Sequence, residues 1–355
     1  MSNKIIIVNR LNWIDWAKTI AILFVVFGHI PEKNGSFGIY YTYLFHMPLF
    51  FFISGFLTKK EYFCSTTLKK YWHTLIIPYF CYNIVFYPYW TVKHIIDFPN
   101  AGWFDFIKPL IGTVLLQLST PISVCLNGVT WFIAALLVMK IILSICNNHK
   151  YGLRFMTILA ILAALLYIYN EHYRLYTNFP LVGFVRCLPY FFIGYLCNQN
   201  NIIQKRPQKK DYFICIAGIT ISLIACTYGR TSNGLIAFGI YSWIISIAAI
   251  GGLLSFCKLL DKVHLSIIDN VSIGTVVIMG LHWILIGVTN FTLQKLLHIS
   301  NIVYPLWIAI ALTLLFTTII YPVILFFKNN YPFMLGKQST KVQTDNTSNV
   351  NTPFI

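Results

Sequence analysis

Two ionisable side chains, Lys18 and His29, are separated by ten mostly apolar residues in the first apolar segment of the chain, residues 14–31. In an α-helix, eleven residues make three turns plus about 20°, so both side chains leave on nearly the same face, about 16 Å apart along the axis. Asp15 precedes Lys18 by three residues and joins this face. Ionisable groups in a membrane helix usually face a protein interior or a wet cavity. We therefore predict that this helix lines a site, with a cation towards the cytoplasm and a titratable imidazole at its outer end.

The second apolar segment, residues 41–58, combines a histidine with a proline. His46 lies near its outer end and therefore at the depth of the first histidine. Pro48 removes one helical hydrogen bond and crowds the carbonyl of Leu44, which predicts a bend and a freed backbone oxygen. Gly55 and the serine before it allow another helix to approach closely.

Two more ionisable residues, Arg186 and His282, lie inside later apolar segments and need a partner or water there. Together with His29 and His46 they can line one cavity in the outer half of the membrane. From periodicity alone, His46 and His282 are equally well explained as hydrogen-bonded packing residues. A metal site is disfavoured, because no acidic or cysteine partner is spaced for it.

The elements that must position these groups are membrane helices. The chain has 355 residues, of which 57% are hydrophobic and 10% charged, whereas soluble domains carry about 25% charged residues. We predict an all-α, polytopic integral membrane bundle of about ten transmembrane helices, with residues 1–13 cytoplasmic, a membrane domain at 14–327 and a largely disordered cytoplasmic tail at 328–355. The predicted spans are 14–31, 41–58, 71–92, 129–146, 153–169, 180–197, 212–228, 235–257, 271–290 and 303–327. The stretch 107–118 is too short to span and is interpreted as interfacial or re-entrant.

The formal charge of +16 is distributed as in a membrane protein. With ten spans, eighteen Lys and Arg residues fall on the side of the N-terminus and six on the other, which predicts cytoplasmic termini. No aromatic-basic module accompanies the charge, which argues against a nucleic-acid partner. The nine cysteines are scattered without metal spacing and are interpreted as packing residues.

The cytoplasmic loop after the second span is basic and includes Lys69 and Lys70. These lysines are explained by topology and attraction to anionic lipid. Alternatively, they bind the phosphates of a cytosolic ligand such as coenzyme A.

Residues 10–29 resemble the opening motif of the membrane acyltransferase-3 family, which places a basic residue, ten residues and a histidine in its first helix. Residues 45–56, which read Phe-His-Met-Pro-Leu-Phe-Phe-Phe-Ile-Ser-Gly-Phe, resemble the second-helix motif of that family. Weaker matches occur at 76–79, 128–132, 186–195 and 272–282, so that the resemblance covers about residues 10–327. Relatives often carry an arginine pair spaced RxxR near the third helix. Here residues 69–73 read Lys-Lys-Tyr-Trp-His, without that pair.

The resemblance implies transfer of an acyl group, usually acetyl from acetyl-CoA, to a sugar hydroxyl of a surface glycan or its lipid-linked precursor. The setting it implies is the bacterial inner membrane, with acyl-CoA, the glycan and the lipid bilayer as partners and oligomeric state left open. His29 corresponds to the essential histidine, which we interpret as the general base. Further roles are expected for Asp15 in holding Lys18, for Lys18, Lys69 and Lys70 at the phosphates of coenzyme A, and for Arg186, His46 or His282 at the oxyanion or the acceptor.

Two other functions are compatible with the residues. A multi-pass transporter of a polar or anionic solute would also carry intramembrane Lys, Arg and His, but the chain has no evident inverted repeat or matched pair of broken helices. A non-catalytic scaffold for glycan assembly would leave Lys18 and His29 unexplained.

Overall fold

The structure, a computed structural model, describes residues 11–31, 37–173, 179–203, 206–231, 235–298 and 302–337. Long apolar runs form helices because only a helix satisfies its backbone hydrogen bonds within one segment in lipid. Within these ranges the only β-pairing is an isolated bridge between Thr120 and Ser123. The helices are α1 Asn12–His29, α2 Phe37–Leu57, α3 Ser65–Tyr71, α4 Ile77–Asp97, α5 Trp103–Val114, α6 Trp131–Asn147, α7 Gly152–Tyr173, α8 Phe179–Gln199, α9 Lys209–Thr231, α10 Leu235–Leu259, α11 Ser266–Ile273, α12 Thr275–Leu297 and α13 Leu306–Asn330.

The predicted all-α membrane fold is confirmed. Eight helices in the described part of the chain are long and apolar enough to cross a membrane, namely α2, α6, α7, α8, α9, α10, α12 and α13. The other two predicted spans also form helices, α1 and α4. Both are diluted by polar residues, such as Asp15 and Lys18 in α1 and Asn83 in α4, and neither is among the eight.

Several boundaries differ from those predicted. The ninth predicted span, 271–290, is divided at Gly274 between α11 and α12, and α12 continues to Leu297. Helix α2 begins at Phe37, so His46 lies near the middle of this helix and not near its end, where the predicted span 41–58 places it. The third predicted span is part of a longer rod, in which the π-helical turn Trp72–Ile76 joins α3 to α4. At the other end of the chain, α13 continues to Asn330, and a 3₁₀ turn, Pro332–Leu335, packs back on the bundle through a hydrogen bond from Tyr82 to the Met334 carbonyl. Part of the predicted tail is therefore ordered, while residues 338–355 lie outside the described residues.

The short stretch 107–118 corresponds to α5 and the irregular loop that follows it. Leu116 and Gln117 both adopt positive φ values, 55° and 68°, so the chain turns sharply after α5. Gln117 and Asn127 are fully buried, and the loop leads directly into the 3₁₀ turn Gly128–Thr130 and α6. Irregular backbone of this kind is tolerated at membrane depth only where protein or a cavity surrounds it.

Helices α2 and α8 approach each other closely at two glycines. A Cβ atom on Gly55 would lie 1.9 Å from the carbonyl oxygen of Phe191, and one on Gly194 would lie 2.1 Å from that of Phe52. Backbone therefore meets backbone here, as the sequence predicted for Gly55. This contact holds two helices that carry candidate site residues, α2 and α8, in a fixed relation.

We expect Gly55→Ala to destabilise the protein by about 1–3 kcal/mol, because the added methyl meets a backbone atom that cannot move aside alone. Thermal unfolding of the purified protein in detergent measures the effect. Gly251→Ala in α10 is the matched control, since a Cβ atom there meets nothing within 4 Å, and it should leave the melting temperature unchanged or raise it. Equal melting temperatures for the two variants would contradict the prediction.

Candidate active site

The last residue of α1, His29, meets His282 and Trp283 of α12. The two histidine rings lie 5.1 Å apart between centroids, and the Trp283 ring lies 5.6 Å from that of His29. His282 is fully buried, whereas His29 is partly exposed. The structure thus brings together two of the predicted site residues, with an indole packed against the imidazole that we interpret as the base.

The contacts of His29 define its neutral tautomer. Its Nδ1 lies 2.8 Å from the Val25 carbonyl oxygen, which can only accept, so Nδ1 carries the proton. The His282 ring is fixed likewise by a 2.8 Å hydrogen bond from Nδ1 to the Ile278 carbonyl. Its Nε2 therefore has the lone pair, and this atom lies 3.2 Å from Nδ1 of His29. Both contacts of His29 require the Nδ1–H form, which leaves the lone pair on Nε2, the atom that a general base needs.

His46 reaches the same region through Tyr43. The ring of Tyr43 lies 6.4 Å from that of His29 and 5.3 Å from that of His46, edge-on to both. His46 is buried and donates from Nδ1 to the Thr42 carbonyl at 2.6 Å. Tyr43 was not among the residues singled out from the sequence, because it lies in an aromatic run that carries no distinguishing pattern.

Arg186 of α8 binds the backbone of α2. Its guanidinium donates to the carbonyl oxygens of Tyr43 at 3.1 Å and Leu44 at 2.7 Å, and it lies over the Tyr167 ring at 5.5 Å. The Ser246 hydroxyl of α10 donates to the same Leu44 oxygen. This is the carbonyl that Pro48 was predicted to free, and two neighbouring helices supply the missing donors. The geometry therefore gives Arg186 a positioning contact with the segment that carries His46.

The N-terminal end of α1 is held by the chain segment between α10 and α12. Asp15 is buried and accepts a 2.5 Å hydrogen bond from the Ser272 hydroxyl of α11. Asn12 donates to the carbonyl oxygen of Asp261 at 2.8 Å, and the Asp261 carboxylate accepts from the Trp13 backbone N–H at 3.0 Å. Lys18 is half-buried on the same helix. The sequence did not predict Ser272 as a partner of Asp15.

The lysines that follow α2 differ in their environments. Lys70 forms an ion pair with Glu61, whose carboxylate also accepts from the Tyr71 hydroxyl at 2.9 Å. Lys140 of α6 approaches this group, donating to the Thr58 hydroxyl at 2.8 Å. Lys69 lies on the same short helix, exposed to solvent. The charge of Lys70 is thus partly balanced by Glu61. The sequence did not indicate this pair, because Glu61 lies in the loop before α3 and no helical spacing relates it to Lys70.

Comparison with known proteins shows the family to which the chain belongs. A family model described as an acyltransferase domain matches residues 11–327. The chain belongs to the membrane acyltransferase-3 family. It is also 30% identical over 155 residues to the nodulation protein NolL of Mesorhizobium japonicum, a match that covers 40% of this chain and 37% of that relative. No solved structure matches it.

The polar site residues on α1, α2, α8 and α12 all fall within the region that the family model matches. No group of three or more metal-ligating side chains is found within the described ranges. The candidate active site of this acyltransferase-3 protein is an imidazole cluster, formed by His29 at the C-terminal end of α1 with His282 and, through Tyr43, His46. Lys18 lies about 16 Å from His29 along the helix.

The freed carbonyl of Leu44 provides a test of how Arg186 acts. Arg186→Met should lower the free energy of unfolding by about 1–3 kcal/mol, because it removes a donor to the partly buried carbonyl oxygen of Leu44. In a Pro48→Ala background the loss should be smaller, since the introduced alanine supplies the N–H that α2 lacks. Unfolding of the two single variants and the double variant measures this coupling; strictly additive losses would show that Arg186 does not act through Leu44.

Glu61 predicts a pH dependence of stability. Partial burial raises the pKa of its carboxyl, but the hydrogen bonds from Lys70 and Tyr71 outweigh this, so the pKa lies below its usual range. The pKa of Glu61 is therefore lower in the folded protein than in the unfolded chain. At a pH above the unfolded-state pKa, the carboxylate contributes fully to stability, and this contribution is lost as the pH falls through the folded-state pKa. Glu61→Gln should therefore melt below the wild type at pH 7, and the difference should shrink from about pH 5 towards pH 3.

The exposed pair of Lys93 and Asp97 serves as the control for this titration. Asp97→Asn should change the melting temperature little at any pH, because solvent screens an exposed ion pair. A difference between wild type and Glu61→Gln that does not vary with pH would contradict the assignment.

Proposed function

We propose that this protein is an O-acyltransferase that moves an acyl group, with acetyl as the expected one, from cytosolic acyl-CoA to a sugar hydroxyl. The acceptor is a cell-surface glycan or its lipid-linked precursor, at a bacterial cytoplasmic membrane. The observation that supports the proposal is the position of His29, to which the sequence resemblance assigns the role of the essential histidine and whose Nδ1–H is bonded to the Val25 carbonyl, so that its Nε2 lone pair is available. A neutral imidazole in that form is suited to take a proton from a hydroxyl.

In the proposed reaction, the sugar oxygen attacks the thioester carbonyl carbon while Nε2 of His29 takes the hydroxyl proton. The tetrahedral intermediate then collapses, the carbon–sulfur bond breaks, and the proton passes from His29 to the coenzyme A sulfur. The products are the sugar ester and free coenzyme A thiol, so the histidine returns to its starting form. A general base of this kind contributes about 10²–10⁴ in rate.

The donor is proposed to approach from the cytoplasmic side. Lys18 is half-buried on the face of α1 that leads to His29, which supports a role for its charge at a phosphate of coenzyme A. Lys69 is solvent-exposed and Lys70 is paired with Glu61, so Lys69 is the more available of the two for a phosphate. Asp15 is bonded to Ser272, which favours a role in holding α1 over one in the chemistry.

His29→Gln should insert and fold but lose at least 100-fold in coenzyme A release, because the amide cannot take the proton. The assay is release of free thiol from acetyl-CoA by purified protein in nanodiscs, with and without a cell-envelope glycan extract. His149→Gln, at an exposed histidine in the loop after α6, is the matched control and should keep wild-type activity.

Turnover by His29→Gln at the wild-type rate would rule out His29 as the base. No release by the wild type with any acyl-CoA or extract would overturn the acyltransferase proposal. Solute flux in liposomes would then test the transporter alternative.

A further inference from the structure

One buried side-chain amide, that of Asn127, is unlike the others in the described part of the chain. Asn127 is fully buried, and neither its Nδ2 nor its Oδ1 has a hydrogen-bond partner among the described residues. By contrast, the buried amides of Asn83 and Gln117 are both hydrogen-bonded. Leaving both atoms of an amide unpaired in an apolar interior costs free energy. A group kept at such a cost is a candidate for binding something other than its own protein.

Asn127 lies next to the imidazole cluster. The residue after it, Gly128, packs so closely on Trp283 that a Cβ atom there would lie 2.5 Å from the indole ring. The same indole packs against His29, at 5.6 Å between ring centroids. One aromatic ring thus separates the Asn127–Gly128 backbone from the proposed base.

The loop around Asn127 is held rigidly by its other polar groups. Gln117 accepts from the Leu126 backbone N–H at 2.9 Å and donates to Asn83 of α4 at 2.7 Å. The Thr130 hydroxyl donates to the backbone carbonyl of Asn127 at 2.8 Å. Gln117 itself adopts a positive φ of 68°, a conformation that side-chain-bearing residues rarely adopt and that surrounding contacts must maintain. The side chains of Gln117, Asn83 and Thr130 are all hydrogen-bonded, whereas the side-chain amide of Asn127 is not.

We propose that Asn127 is a catalytic residue of the acyl transfer, whose Nδ2–H donates a hydrogen bond to the carbonyl oxygen of the acyl thioester. This inference rests on the proposed function. As the sugar oxygen bonds to the carbonyl carbon, negative charge moves to that oxygen, and the amide stabilises it until the carbon–sulfur bond breaks. The fixed loop supplies the preorganisation that such a donor needs, and shielding from solvent strengthens the bond.

The test separates loss of function from loss of structure. Asn127→Leu keeps the branched shape but removes both polar atoms. We expect its kcat for coenzyme A release in nanodiscs to fall by about 10²–10³, the usual cost of one oxyanion donor, with little change in KM for acetyl-CoA. Its melting temperature should equal or exceed that of the wild type, because a buried unpaired amide has been replaced by an apolar group.

Asn83→Leu is the matched control, at an equally buried asparagine whose amide is bonded to Thr130 and Gln117. Its melting temperature should fall, because these partners lose their hydrogen bonds. Wild-type kcat in Asn127→Leu, or a loss of activity matched by a lower melting temperature, would overturn the inference. If the wild type itself releases no coenzyme A, the proposed function fails first; if the wild type is active and Asn127→Leu equally so, only the role of Asn127 fails.

Discussion

A missing hydrogen bond in α2 fixes the position of this helix relative to α8 and α10. Pro48 has no N–H, so the carbonyl of Leu44 needs another donor at a depth where water is scarce. Arg186 of α8 and Ser246 of α10 provide it. Three helices are thereby tied to one backbone oxygen, and the turn of α2 that carries His46 is held in place. The glycine contact between α2 and α8 allows this, because the two backbones could not otherwise approach so closely.

Helix α1 is fixed at both ends by one stretch of chain. Ser272 of α11 binds Asp15 near the N-terminal end of α1, and His282 of α12 contacts His29 at its C-terminal end. Because α11 and α12 are joined at a single residue, Gly274, the two contacts set the depth and rotation of α1 together. The polar face of α1, which includes Lys18, therefore has one position relative to the imidazole cluster.

Local features of the site could be predicted from the sequence, and pairings between distant segments could not. The freed carbonyl beside Pro48 and the close approach at Gly55 follow from the properties of single residues. The partner of Asp15 is 257 positions away, and no local pattern points to Ser272. The start of α2 was misplaced by four residues, because Gly38 and the polar residues before Phe37 are typical of a loop. The conformation of the loop before α6 could not be predicted either. It depends on a buried hydrogen bond between Gln117 and Asn83 of α4 and on positive φ values at Leu116 and Gln117.

The three histidines of the cluster, His29, His46 and His282, have the same hydrogen-bonding arrangement. Each donates its Nδ1 proton to the carbonyl oxygen four residues earlier in its own helix. In the serine-protease triad a carboxylate fixes the tautomer and stabilises the imidazolium. Asp15 cannot do this for His29, because it lies about 21 Å away along α1. The Val25 carbonyl, at 2.8 Å, and the Nε2 lone pair of His282, at 3.2 Å, share the single Nδ1–H of His29. In the proposed reaction they would stabilise the charge formed when Nε2 takes a proton, without the cost of burying a carboxylate beside the neutral ring.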